Sequence, residues 1–80
     1  MHVAVEVSLY PLTERYVPAI LDFIDRLKAR PGLEVLTNSM STQVSGEIDA
    51  VFEALRAEIA ASFSRCERAV FVMKVLGGGD

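Results

Sequence analysis

Eighty residues make one domain, and a chain this short buries only about 60–65% of the surface that its unfolded form exposes. Yet 51% of the residues are hydrophobic, more than so small a monomer needs, which predicts a homodimer or a dimer of dimers. The net charge of −3 comes without a block of Lys or Arg, and this argues against nucleic-acid and anionic-membrane surfaces. Cys66 is the only cysteine, so neither an intrachain disulfide nor a thiolate metal cluster can be built. No basic leader precedes an apolar run, and no stretch approaches the roughly 20 apolar residues of a membrane span. The expected location is therefore the cytoplasm.

In chain order, the first element alternates from His2 to Leu9, with Val3, Val5, Val7 and Leu9 on one face and Ala4, Glu6 and Ser8 on the other. That pattern is a half-buried strand. Tyr10 to Thr13 reads as a turn. Val17, Ile20, Leu21, Ile24 and Leu27 then recur at helical spacing, with Asp22, Asp25, Arg26 and Lys28 facing out. Pro18 places the start of this helix about one turn earlier, with Thr13 or Glu14 as the cap. Pro31 and Gly32 end it, and Leu33 to about Asn38 reads as a second strand that leads into a polar turn.

A weaker third strand is expected over Thr42 to Ser45, with Gly46 at its edge. Ile48, Val51, Phe52, Leu55, Ile59 and Phe63 give a second helical stripe. From Glu67 to Leu76 almost every residue is apolar, which predicts a strand covered on both faces. Gly77 to Asp80 are expected to form a mobile tail to a domain of residues 1–76. The order βαββαβ implies an α+β, ferredoxin-like sandwich: a four-stranded antiparallel sheet with both helices on one face. First and last strands are neighbours in that fold, so Glu6 and Lys74 should lie near each other on the free sheet face. With Ala4, Val70 and Val72 around them, that face suits a dimer interface.

Catalytic material is thin. The only histidine is His2 at the amino end, and Cys66 has no base near it in sequence, which fits a small packed residue better than a nucleophile. No metal-ligand spacing occurs, no cofactor is implied, and the closing glycines open no helix, so a phosphate loop is excluded. Met40 and Met73 read as core filler. The segment Asn38 to Glu47 is different, because it concentrates hydroxyls and amides without a charge before Glu47. Such groups suit a neutral ligand such as an aminopyrimidine ring. Asn38, Ser39 and Ser41 are also common hairpin-turn residues, and composition alone weighs toward the turn. Tyr10 could stack on a ring or staple the turn to the first helix, and taken alone the staple is the simpler reading.

Two blocks carry a resemblance. Val7 to Val17 contains Ser8-Leu9-Tyr10-Pro11-Leu12-Thr13, and Met40 to Glu47 contains Ser41-Thr42, Ser45 and Gly46 ahead of Val51-Phe52-Glu53-Ala54-Leu55. Together they resemble the YkoF-like family, which binds thiamine or its hydroxymethylpyrimidine part, and a broader thiamine-binding group with a similar pattern. The resemblance implies a ferredoxin-like unit whose sheets stack in pairs and which binds its ligand without transforming it. Better-known members carry two such units in one chain, so here a homodimer would supply the second. Ser8 and Tyr10 fall in the first motif and Ser41, Thr42 and Gly46 in the second, with Asn38 and Ser39 beside it. The resemblance thus makes Thr42, with Ser41 and Tyr10, the leading candidates to line a pocket. Two rival readings remain open: an oligomeric regulatory or structural module for another metabolite, and a small dimeric ferredoxin-like enzyme of the monooxygenase kind.

Overall fold

Alternation along the first ten residues decides the architecture, because Val3, Val5, Val7 and Leu9 all need cover on the same side. A computed structural model describes residues 1–66 and 68–77. In it, β1 (His2–Pro11), α1 (Tyr16–Lys28), β2 (Glu34–Thr37), β3 (Thr42–Glu47), α2 (Ile48–Arg65) and β4 (Ala69–Gly77) follow in order. They build one four-stranded sheet, β2-β3-β1-β4, with every neighbouring pair antiparallel. This is the ferredoxin-like fold. Val44 of β3 joins the buried row of β1, and Phe23 and Leu27 of α1 and Val51, Ala54 and Leu55 of α2 close over it. Each fully buried Val, Leu or Phe side chain among them stabilises the fold by about 1.5–3 kcal/mol.

Several local expectations change. Tyr10 and Pro11 belong to β1, paired with Val70 and Ala69, and do not form a turn. Beyond Val7 β1 has lost its β3 partner and bonds only to β4, so a proline without an N–H is tolerated there. The start of α1 is Tyr16, with Arg15 at the cap position and no side-chain cap, while the Thr13 Oγ1 accepts the Arg15 N–H at 3.4 Å. Pro18 sits in the first turn, where N–H groups have no helical acceptor. Val17 and Leu21 are exposed and Phe23 is buried against Phe71, with ring centroids 5.0 Å apart. In α2 the buried stripe is Val51, Ala54, Leu55, Glu58 and Ser62, so Phe52 and Phe63 lie at its exposed margin.

The expectation that the last strand is covered on both faces does not hold for the single chain. β4 is an edge strand, and of its residues Ala69 and Phe71 pack against the core, Phe71 between the rings of Phe23 and Phe63. Met73 and Val75 share its side but lie beyond the helices, so Met73 is not core filler, and Val70, Val72 and Leu76 point to the open face. Leu76 is 71% exposed. Gly77 extends this strand opposite Val3 instead of beginning a tail; residues 78–80, the rest of the expected tail, lie outside the described residues.

β3 likewise runs two residues past Ser45, because it is held between β1 and β2 and pairing overrides its weak propensity. Gly46 pairs with Val3, and a Cβ there would come to 3.2 Å from both the Gly32 carbonyl oxygen and Leu33 Cδ2. Gly46→Ala is therefore expected to lower stability by about 1 kcal/mol, read as a lower urea midpoint at unchanged slope. Among the described residues no helix is long and apolar enough to cross a membrane.

Candidate functional site

The strand period that buries the odd residues of β1 turns Glu6, Ser8 and Tyr10 toward the open face of the sheet. Directly across the ladder, Lys74 stands opposite Glu6, Val72 opposite Ser8 and Val70 opposite Tyr10. On the other side, the turn between β2 and β3 curls over Ser8. Asn38 shapes this turn: its Oδ1 accepts the N–H groups of Met40 at 2.7 Å and Ser41 at 2.9 Å, and its own N–H donates to the Ser41 carbonyl at 3.0 Å. That is an Asx turn closing a hairpin. The Ser8 hydroxyl donates to the Met40 carbonyl at 3.4 Å and ties the turn to the floor.

Together these residues enclose a hollow of about 460 Å³, lined by Glu6, Ser8, Tyr10, Asn38, Ser39, Met40, Ser41, Val72 and Lys74. A volume of several hundred Å³ is what a small-molecule site needs. Five of the residues singled out in the sequence, Ser8, Tyr10, Asn38, Ser39 and Ser41, meet here. The turn reading of the polar segment holds, and the same turn also walls the hollow. Met40 is at the tip of that wall and is not core filler.

Thr42 is placed differently. It lies opposite Val7 on the helix side of the sheet, 5% exposed, with its hydroxyl 3.2 Å from that of Thr37. There it borders a smaller hollow of about 130 Å³ under the same turn, with Ile20, Phe23 and Ile24.

Glu6, Met40, Val72 and Lys74 complete the sheet-face hollow beyond the sequence candidates. Period-two counting back from Ser8 points to Glu6, the expected strand order places Val72 and Lys74 on the same free face, and the β1–β4 register sets which residues stand opposite. Glu6 and Lys74 are nearest cross-strand neighbours on one face, as the topology implies, yet among the described residues no ion pair joins them.

A second hollow, about 490 Å³, opens at the start of α1 and the end of α2, between Leu12, Thr13, Arg15, Asp22, Ser62, Arg65 and Cys66. Most of its polar groups are already engaged. Arg26 donates to Asp22, to Glu58 Oε1 at 2.8 Å and to Ser62 Oγ at 2.8 Å, Arg30 donates to Glu58 Oε2 at 2.8 Å, and Arg65 donates to Asp22 at 2.6 Å. The Arg65 hydrogen bond, helped by Arg26, holds the Asp22 carboxyl below the usual carboxylate range despite some burial. Burial pushes Glu58 upward, but hydrogen bonds and charge from Arg30 and Arg26 outweigh it and leave this group low as well. His2 stands at the opposite end of β1, in register with Glu47, and lines none of the three hollows.

The family model of the YKOF-related family matches residues 2–74. No curated protein matches this chain. Among solved structures, a hypothetical protein from Methanocaldococcus jannascii is 26% identical with a TM-score of 0.85, over 99% of this chain and 82% of that one. A Streptococcus pneumoniae protein shares 16% identity at a TM-score of 0.90, over 98% of this chain and 88% of its own. A candidate thiamine biosynthesis or salvage protein from Thermotoga maritima shares 16% identity at a TM-score of 0.87, over 98% of this chain and 85% of its own.

Proposed function

This chain belongs to the YKOF-related family, and from that premise we propose that it binds thiamine or its hydroxymethylpyrimidine part, without transforming it, in the sheet-face hollow. The observation that carries the proposal is that Ser8, Tyr10, Asn38, Ser39 and Ser41, which lie as many as 33 positions apart, line the sheet-face hollow together, all but Tyr10 also bordering the smaller hollow under the turn. Tyr10 offers an apolar face to an aromatic ring, and the hydroxyls and amides offer neutral donors and acceptors. The description of the Thermotoga maritima protein as a candidate for thiamine biosynthesis or salvage supports the choice of ligand.

The site acts within a cytoplasmic homodimer or dimer of dimers. Val70, Val72, Leu76 and Leu36 leave an apolar open face, and a second copy laid over it would both bury these residues and roof the hollow. Thr42 supports the pocket from the opposite side of the sheet, by holding the base of the hairpin through Thr37.

The test is the thermal midpoint with thiamine, with hydroxymethylpyrimidine and with the thiazole half alone. Ligand at a hundred times its Kd should add about 2.7 kcal/mol, for roughly 10–20 °C in a domain of this size. The pyrimidine-bearing compounds should raise the midpoint and the thiazole should not. An equal rise with all three, or none at millimolar ligand, would remove the pyrimidine from the proposal. Thr42→Val keeps the shape and deletes the hydroxyl; it should cost about 1 kcal/mol of stability and reduce affinity less than Tyr10→Ala does.

A further inference from the structure

The hydrogen-bond inventory of the hollow leaves two strong groups for a ligand. Asn38 spends its side-chain oxygen on the Met40 and Ser41 N–H groups, and the Ser8 hydroxyl donates to the Met40 carbonyl. What remains with full charge is the Glu6 carboxylate, an acceptor only, and the Lys74 ammonium, a donor only. They face each other across the β1–β4 ladder, where opposite Cβ atoms lie about 4.5–5.5 Å apart. The four-carbon stem of Lys74 can carry its ammonium well away from Glu6. A bound molecule that fits this pair carries a hydrogen-bond donor and an anion close together on one edge.

Resting on the pyrimidine reading above, we propose that Glu6 and Lys74 make the hollow select a phosphate ester of the aminopyrimidine over the free alcohol. Glu6 accepts from the exocyclic amine while the ring lies against Tyr10. Lys74, on the edge strand, takes the phosphate through a charge-assisted bond. Its exposure keeps the gain moderate and sensitive to salt.

Calorimetric titration of hydroxymethylpyrimidine, its monophosphate and inorganic phosphate into the intact protein tests this. The monophosphate should bind about two- to fivefold more tightly than the alcohol, with the ratio shrinking as salt rises. Lys74→Met should bring the ratio close to one, Lys74→Arg should preserve it, and Glu6→Gln should weaken the free alcohol and raise the ratio, because it also removes a negative charge beside the phosphate. Equal affinities in the unmodified protein, a ratio that survives Lys74→Met, or inorganic phosphate binding as tightly as the ester would overturn the assignment. Binding of both pyrimidines without preference sinks the phosphate selection alone, whereas no binding by either sinks the pyrimidine reading and this one with it.

Discussion

Glu58→Ala is expected to lower the unfolding free energy by about 3 kcal/mol, which for a domain of this size is a fall of roughly 15 °C in the thermal midpoint. Glu58 is a carboxylate inside the helix layer, its side chain 11% exposed, and it is the group on which Arg26 and Arg30 converge. Arg26 also reaches the Glu58 backbone carbonyl at 3.1 Å, so one guanidinium fastens α1 to α2 at several points. Truncating Glu58 leaves the Arg26 charge, 16% exposed, with Asp22 as its remaining carboxylate and takes the carboxylate from Arg30, and the penalty for that exceeds the net worth of the pairs. Glu58→Gln keeps an acceptor and should cost less.

The same network sets an acid limit. Glu58 and Asp22 are both held below the usual carboxylate range in the folded chain. Their contribution is therefore complete above that range and is lost as pH falls through and below it. The unmodified protein should lose stability on acidification, and Glu58→Ala should flatten that loss. A variant as stable as the parent at neutral pH, with the same acid profile, would show that the Arg26 cluster is an inert surface feature.

Tyr10→Ala is expected to weaken thiamine and hydroxymethylpyrimidine binding about five- to thirtyfold, a loss in the range of 1–2 kcal/mol for removing an aromatic platform. Stability should change little, because Tyr10 is 54% exposed and its pairing with Val70 is through the backbone ladder. Tyr10→Phe retains the ring and should retain most of the affinity. If Tyr10→Ala binds as the parent does, the ligand does not sit on the sheet face and the ring serves only to cover Val70.

The βαββαβ order is legible in the sequence because two signals are strong: the alternation of Val3 to Leu9 and the helical recurrence around Leu27 and Leu55. What the sequence hides is mostly polar burial and edge position. Glu58 and Ser62 occupy inward positions of α2 that a hydrophobic stripe skips, since their partner Arg26 comes from another helix. The apolar run of β4 suggests two covered faces, yet strand order leaves it at an edge, a fact that periodicity within the strand does not encode.

The site divides in the same way. Ser8, Tyr10 and the turn residues could be picked out along the chain, and Glu6 follows from Ser8 by the strand period. Thr42 shows the reverse: one step of the same period from Ser41 carries it to the helix side. Lys74 follows from the expected neighbouring of the first and last strands, and the register sets it opposite Glu6.

Amide chemical-shift mapping with hydroxymethylpyrimidine tests the central claim most directly. Saturable shifts gathered at Glu6, Ser8, Tyr10, Asn38 to Ser41, Val72 and Lys74 are the expected result. Shifts gathered instead at Leu12, Arg15, Arg65 and Cys66, or none at millimolar ligand, would contradict a pyrimidine site on the open face of the sheet.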